Sequence, residues 1–406
     1  MPVTGVLIRR ISPARRAAFR VLEAVAEGGY ASDLLRAEGT ALSSRDAGLA
    51  GQIVFGCLRF QAQLDYLIQL YSGKKATSLH GPVRNALRMA IYQLRYLERV
   101  PAHAAVHEAV ELVKENRRAA AGFANAVLRK ASAKRVTWPS RDIELSCPEW
   151  LLARWEVHFG AEAASKIALA ALAEPERYVR VPPENSLPLD VELEATDIAQ
   201  AYRLKSALPA GLRLHDISSQ AIIPLLDLQP GVTYLDLCAA PGNKTVQALE
   251  TPLKIAVACD LSWRRLRDIS PVCPRVVLDA TQPLPFRMQF DRIFIDAPCS
   301  GTGTLARNPE IKWRIAEGDF RRFHETQIAI IGNALNLLAP RGTLLYATCS
   351  LEREENEEVV HEILGAHPEV ELRNEVWRLP GRDPGDGFYA AALQWATAKK
   401  EAARPN

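Results

Sequence analysis

Two cysteines at the ends of apolar segments set the chemistry this chain can do. Phe294-Ile-Asp-Ala-Pro-Cys-Ser-Gly-Thr-Gly-Thr304 and Leu345-Tyr-Ala-Thr-Cys-Ser350 each read as a strand that runs into a polar loop carrying one thiol. Open α/β sheets do chemistry at the C-terminal ends of their strands, so Cys299 and Cys349 are expected at one pocket. Asp296 stands three residues before the first thiol. Such a set suits a soft nucleophile that forms a covalent adduct and a second group that helps resolve it. A cysteine by itself is more often a small apolar filler, and the pairing with an acid is what lifts these two above that reading.

A second site precedes them. Thr233-Tyr-Leu-Asp-Leu-Cys-Ala-Ala-Pro-Gly-Asn-Lys-Thr245 reads as a strand, a loop of small residues and a helix start. Small residues let backbone approach a ligand closely, and a helix start presents free amides. Neither Gly-x-Gly-x-x-Gly nor Gly-x-x-x-x-Gly-Lys-Ser/Thr is present, which disfavours a dinucleotide or a nucleoside triphosphate. Asp260 and Asp279 end the next two expected strands, where acids accept hydrogen bonds from a ribose diol and an adenine amine. An adenosine without a phosphate tail fits such a pocket. Each acid taken singly also fits as a helix cap or turn residue.

The elements that must position these groups follow from pattern. From about residue 215 the rhythm is strand, loop, helix, with strands expected at 233–237, 255–259, 276–278, 292–295, 343–347 and 388–393 and helices at 320–338 and 354–364. The short gap from 261 to 275 predicts an abbreviated crossover helix. Residues 12–133 read as helices, opening with Ser12 as a cap and Pro13 at the first helical position. Leu49, Ile53, Cys57 and Phe60, then Val83, Leu87, Ile91 and Leu94, then Val106, Val110 and Val113 form core stripes. Between these regions Trp138-Pro139 and Cys147-Pro148 read as chain breaks. A helical stretch follows at 149–172, and then a proline-rich segment holding Pro175, Pro182, Pro183, Pro188 and Pro209. The expected division is 1–135 helical domain, 136–214 linking subdomain and 215–406 catalytic domain.

Charge is uneven along the 406 residues. Residues 1–135 hold 21 Lys and Arg against 10 Asp and Glu, a net +11, which leaves −8 for the remainder. A basic domain joined to a mildly acidic one suggests a polyanion-binding face. Arg84, Arg88 and Arg95 share one approximate helix face, whereas Arg117, Arg118, Arg129 and Lys130 cluster near the end of the bundle and are the candidates for RNA contact. Arg307, Lys312 and Arg314, just past the first cysteine loop, are candidates for phosphate contact. With 48% hydrophobic and 24% charged residues the composition is that of a globular protein. Seven cysteines without a Cys-x-x-Cys pair support neither a zinc site nor a disulfide framework, so no metal is expected. No apolar run reaches 18 residues and no signal-like region follows Arg9 and Arg10, which points away from membrane and secretion and toward the cytoplasm.

Several segments together resemble successive motifs of the RNA cytosine-C5 methyltransferases. They are Leu235-Asp-Leu-Cys-Ala-Ala-Pro-Gly-Asn-Lys-Thr245, Asp260 with Arg265, Asp279, Asp296-Ala-Pro-Cys-Ser-Gly-Thr-Gly303, Asn308-Pro-Glu-Ile-Lys-Trp313, Ala347-Thr-Cys-Ser350 with Glu354-Glu-Asn356, and Asp386-Gly-Phe388. The leading helical region resembles NusB, a pairing typical of the bacterial RsmB/Sun type. The resemblance implies a multidomain protein with an all-α NusB-like N-terminal bundle, a small linking α/β subdomain and a C-terminal Rossmann-like methyltransferase α/β sandwich. It further implies S-adenosyl-L-methionine as cofactor, RNA as partner, with 16S rRNA as the RNA expected, and methylation of C5 of cytosine 967 or its equivalent. No membrane or obligate protein partner is implied.

By the same resemblance, Cys238, Ala239, Ala240, Pro241, Gly242, Asn243 and Lys244 cradle the methionine end of the cofactor. Asp260, accompanied by Arg265, holds the ribose, Asp279 contacts the adenine side, and Asp296 lies between cofactor and base. Cys349 is the nucleophile and Cys299 assists release. A thiolate adding to C6 makes C5 enamine-like and able to attack a methyl group, which gives the adduct its purpose. The target base is expected in a loop or turned out of its stack. Two departures stand out. Asn243 replaces a usual glycine but tolerates left-handed backbone, so cofactor binding should be retained. His215-Asp-Ile-Ser-Ser-Gln220 stands where Gln-Asp-x-x-Ser is common, which bears on local RNA or loop contacts. Two other readings stay open: the same chemistry on tRNA or another rRNA position, and a noncatalytic RNA-binding or antitermination protein.

Overall fold

The apolar stripes of the first third converge on one buried core. The computed structural model describes residues 11–131, 136–182, 191–209, 211–267, 269 and 273–396. Arg9, Arg10, Pro183, Pro188 and the expected domain limits at 1, 135 and 406 lie outside the described residues. Chain contacts divide the protein into two compact units, one of 1–173 with Ala306–Arg314 and the other of 174–305 with 315–406.

The first unit is helical. Its helices are α1 (Pro13–Ala26), α2 (Ala31–Gly39), α3 (Ser44–Arg59), α4 (Gln61–Ser72), α5 (Gly81–Tyr96), α6 (Ala102–Arg117), α7 (Ala121–Ala131), α8 (Arg141–Glu144), α9 (Glu149–Phe159) and α10 (Ala161–Ala170). Ile53, Cys57, Val83, Leu87, Ile91 and Val113 are buried in its core, with Leu49, Phe60, Leu94, Val106 and Val110 packed against them. Ser12 does occupy the N-cap position of α1, but its side chain makes no capping bond. Its hydroxyl donates instead to Glu108 Oε2 at 2.7 Å, and Arg15 reaches the other oxygen of that carboxylate at 2.8 Å.

Residues 306–314 are built into this helical unit. The carbonyls in the last turn of a helix lack intrahelical donors, and this segment supplies them. Trp313 Nε1 donates to Leu58 O at 2.8 Å and Lys312 Nζ to Arg59 O at 2.9 Å, both at the end of α3. Arg314 Nη2 donates to Val25 O at 2.6 Å in the last turn of α1. Glu310 accepts from the first amide of α2, Ala31 N, at 2.9 Å, where a negative charge is favoured. Phosphate contact by Lys312 and Arg314 is therefore corrected: their cations are spent on helix-end carbonyls, and Lys312 is 1% exposed.

The second unit carries two sheets. A small antiparallel one, in the order β1-β3-β2, is formed by β1 (Tyr178–Arg180), β2 (Leu193–Ala195) and β3 (Ala201–Leu204). The large one comprises β4 (Thr233–Asp236), β5 (Ile255–Asp260), β6 (Arg275–Val277), β7 (Phe290–Asp296), β8 (Leu338–Thr348), β9 (Val370–Arg378) and β10 (Phe388–Trp395), in the order β6-β5-β4-β7-β8-β10-β9. The first five in that order are parallel, and β10 pairs antiparallel with both β8 and β9. Helices α11 (Ile217–Ile222), α12 (Asn243–Ala248), α13 (Trp263–Leu266), α14 (Glu317–Leu335) and α15 (Glu357–Ala366) accompany it. All six expected strands are present, and the crossover helix α13 is short, as the gap implied.

Successive residues of the central strands feed opposite faces. Leu235, Ile293, Ile295, Leu344 and Tyr346 pack with Ile330, Ile331 and Val359 of α14 and α15 on one side. Tyr234, Phe294, Leu345 and Ala347 pack with Ile222 and Ala248 on the other. Strands covered on both faces read as near-continuous apolar runs, which is why they were legible. β9 was not, because Glu371, Arg373, Asn374 and Glu375 make it polar and it lies at the sheet edge.

The expected linker at 136–214 is divided between the units. Gln63 Nε2 donates to Glu144 O at 2.6 Å, tying α8 to α4 in the helical unit. The small sheet belongs to the second unit instead, with Arg180 paired to Glu250 just after α12 at 2.6 Å and His215 N, just before α11, bonded to Tyr178 O at 2.8 Å.

Burial pulls the Lys312 ammonium down from its ordinary 10.5 to about 8. Between these values the unfolded chain holds a proton that the folded one has released, so stability rises with pH across that window. At about 1.4 kcal/mol per unit, the gain is about 3 kcal/mol. Urea unfolding at pH 8 and pH 10.5 should show the wild type gaining roughly that much relative to Lys312→Met. An unchanged difference between the two proteins would exclude the desolvated cation.

Candidate active site

Acids close three neighbouring parallel strands. Asp236, Asp260 and Asp296 are the last residues of β4, β5 and β7, and Cys349 directly follows β8. One cavity of the second unit is lined by Ser219, Asp236, Phe294, Asp296 and the whole loop from Cys238 to Lys244. The loop is made to approach closely. Gly242 has φ of +103°, and a Cβ there would meet Ile269 Cγ1 at 2.6 Å. Asn243 is the first residue of α12 and is not left-handed, so its tolerance of that backbone is not called on. Its Nδ2 donates to Leu214 O at 2.9 Å.

Charges within this cavity are organised around one cation. Lys244 Nζ donates to Asp296 Oδ2 at 2.7 Å and lies 4.8 Å from the centre of the Phe388 ring. Burial alone would lower the Lys244 ammonium, but Asp296 outweighs it, with a further contribution from Cys349, and the net shift is upward. Asp236 is buried and accepts from Thr245 Oγ1 at 2.7 Å. Burial, reinforced by Asp296, raises its carboxyl to about 7 against the pull of the Thr245 bond.

Asp260 supports the loop from behind, accepting from Ala240 N at 3.2 Å and Ser262 N at 2.9 Å. Arg265 Nη2 donates to Ala240 O at 2.8 Å. Asp279 stands apart from this cavity. Its exposed carboxylate accepts from the Thr281 hydroxyl at 2.7 Å, and the two Thr281 bonds hold it below the ordinary carboxylate range. The cavity thus combines small loop residues, which leave backbone accessible to a ligand such as a nucleoside, with Asp236 and the Lys244–Asp296 pair.

The thiols meet. Cys299 Sγ lies 3.4 Å from Cys349 Sγ. Hydrogen bonding to Cys349, with burial, pushes the Cys299 thiol well above its ordinary range. The two loops are also joined through backbone, Gly303 N donating to Cys349 O, and Gly387 N, just before β10, donates to Gly303 O, each at 2.8 Å.

The profile of the family described as 16S rRNA methyltransferase RsmB/F matches residues 223–394, and that of the NusB family matches 12–133. A probable ribosomal RNA small subunit methyltransferase B of Bacillus subtilis is 33% identical over 374 residues, covering 81% of this chain and 82% of that protein. The chain belongs to the RsmB/F family. It is an S-adenosylmethionine-dependent RNA cytosine-C5 methyltransferase. A ribosomal RNA small subunit methyltransferase B of Cronobacter sakazakii is 31% identical, covering 93% and 98% of the two chains. In fold, the crystal structure of PH0851 aligns with a TM-score of 0.80 at 20% identity, over 95% of this chain and 99% of that one.

Against this family background, the departing segment at 215–220 proves to be interior. His215 is buried, its Nε2 lies 3.1 Å from Ser219 Oγ, and burial lowers it to about 3, so it is neutral. Asp216 receives Asp386 N at 3.1 Å, and Gln220 Nε2 donates to His215 O at 2.9 Å. The altered residues thus pack the unit rather than offer a loop. Asp236, Phe388, Gln327, Glu355 and Asn356 were not singled out from sequence. Asp236 and Phe388 lay inside quoted motifs, as did the Glu355-Asn356 pair, but only contacts reveal their use.

Gly303 is wedged between Gly387 and the Cys349 loop. A Cβ there would meet Gly387 O at 2.5 Å and Cys349 O at 2.7 Å, both backbone atoms. Overpacking of this kind costs about 1–3 kcal/mol. Thermal unfolding of Gly303→Ala should register that loss, and an unshifted midpoint would show that the loops are not so closely apposed.

Proposed function

We propose that the protein methylates C5 of cytosine 967 of 16S rRNA, or its equivalent, through a covalent bond between Cys349 and C6 of the base. The 3.4 Å approach of the two thiols is the observation that carries this reading. Either thiol can be the donor across that contact, and the likeness to the family is what assigns the attack to the Cys349 thiolate and the assisting role to Cys299. That thiolate adds to C6, and the electron pair moves toward C5. The cofactor supplies an electrophilic methyl group when bound. After C5 has taken the methyl, the C5 proton passes to water, the C5–C6 double bond re-forms and the C6–S bond breaks with its electron pair returning to the Cys349 sulfur, Cys299 assisting release. Asp296, paired with Lys244, is assigned to accept from the amino group of cytosine, or from N3 once that nitrogen carries a proton, and so to stabilise the activated ring.

The cofactor is assigned to the loop from Cys238 to Lys244, with Asp260 at the ribose, Arg265 beside it and Asp279 on the adenine side. The relatives named for the ribosomal small subunit support 16S rRNA as substrate. The helical unit is assigned to holding RNA: Arg117, Arg118, Arg129 and Lys130 are exposed, whereas Arg88 is paired with Asp65 at 2.7 Å. Among the described residues no helix is long and apolar enough to cross a membrane, and a cytoplasmic location accords with a ribosomal substrate.

Two measurements test these assignments. Calorimetry of Asp260→Ala should show cofactor binding weakened by roughly 1–3 kcal/mol, the loss of a buried hydrogen bond. Unchanged affinity in the folded variant rejects the ribose assignment. With labelled 16S rRNA fragments on denaturing gels, Cys349→Ala should abolish turnover and adduct, whereas Cys299→Ala should accumulate a methylated protein–RNA adduct. Peptide mapping identifies the attached cysteine, and attachment through Cys299 in the wild type would reverse the two roles.

A further inference from the structure

The residues on either side of each thiol are gripped by one buried set. Pro298 and Ser300 flank Cys299, and Thr348 and Ser350 flank Cys349. Glu355 Oε2 accepts from Ser300 N at 2.7 Å, and its Oε1 accepts from the Ser350 hydroxyl at 2.7 Å. Asn356 Oδ1 accepts from the Thr348 hydroxyl at 2.5 Å while Nδ2 donates to Ser350 O at 3.1 Å. Gln327 Nε2 donates to Pro298 O at 3.0 Å and reaches Glu355 Oε2 at 3.4 Å. Gln327, Glu355 and Asn356 each have 0% relative exposure.

A carboxyl so deeply buried is a poor device for stability alone, since apolar groups of similar volume do as well or better. Burial raises the Glu355 carboxyl to about 7 even though Ser300 and Ser350 pull it down. What the acid does provide is a rigid link with one oxygen on each cysteine loop. Glu355 holds the loops through Ser300 and Ser350, and its charge adds to the upward push on the Cys299 thiol.

We infer that Glu355 is a positioning residue for the reaction: it fixes the Cys299 loop against the Cys349 loop, so that the second thiol stands ready when the adduct must be resolved. This rests on the covalent reading above. In Glu355→Ala the Ser300 amide and the Ser350 hydroxyl both lose their acceptor, and the loops are free to shift. Cys349 still attacks, but release is slowed. Small misplacements of reacting groups cost up to about 100-fold, so kcat should fall roughly 10- to 100-fold. KM for the RNA and calorimetric cofactor affinity should hold, and the methylated adduct should accumulate as in Cys299→Ala. Glu355→Gln keeps the length and one acceptor, and the Ser350 hydroxyl can turn to accept from its amide. It should restore most of the turnover. Glu355→Asp is one methylene too short to span the loops and should behave like the alanine variant.

The test measures single-turnover methylation and adduct on denaturing gels for the full chain with a labelled 16S rRNA fragment. Adduct accumulation in Glu355→Ala, relieved in Glu355→Gln, supports the inference. Wild-type release in Glu355→Ala, or equal defects in the alanine and glutamine variants, overturns it. If Glu355→Ala fails to fold, Ser350→Ala removes one arm of the link and is read by the same two outcomes. Absence of a Cys349 adduct even in Cys299→Ala marks failure of the covalent reading instead.

Discussion

Parallel pairing of β4, β5, β7 and β8 is the constraint on which the site depends. Parallel strands end on the same edge of a sheet, so Asp236, Asp260, Asp296 and Cys349, remote in sequence, are delivered to one edge without any loop having to reach. Register fixes them further: Asp236 lies opposite Phe294, and Asp296 opposite Ala347. A slip of one residue in β7 would turn Asp296 to the other face and put an apolar side chain in its place.

Gathering acids at one edge carries an electrostatic cost, and the fold meets it with specific partners. Lys244 neutralises Asp296 directly, and Asp236 is held by the Thr245 hydroxyl. Where no cation is at hand, as for Glu355, hydrogen-bond donors from both cysteine loops serve instead. The same low-dielectric surroundings that penalise these groups strengthen the hydrogen bonds and ion pair that hold them.

The helical unit solves a different problem. Bundles must end their helices somewhere, and buried helix ends need donors for carbonyls and acceptors for amides. The stretch from Glu310 to Arg314 satisfies the end of α1, the start of α2 and the end of α3 in the space of five residues. Part of the helical unit is therefore encoded in the middle of the catalytic sequence, a few residues beyond Cys299.

Patterns local in sequence were legible without coordinates. Strands buried on both faces announce themselves as apolar runs, the thiols and acids fall at their ends, and helical stripes mark the first core; these follow from side-chain periodicity alone. The tertiary structure decided what depends on distant partners. β9 is polar and holds its place through β10. Lys312 and Arg314 look like surface cations until helix-end carbonyls claim them, and Ser12 sits at a cap position while Glu108 takes its hydroxyl. Gln327 carries no local signal, and Glu355 and Asn356 lie in a recognisable motif that does not say what they hold, because hydrogen bonds between residues 28 or 55 apart are written in three-dimensional proximity and not in spacing.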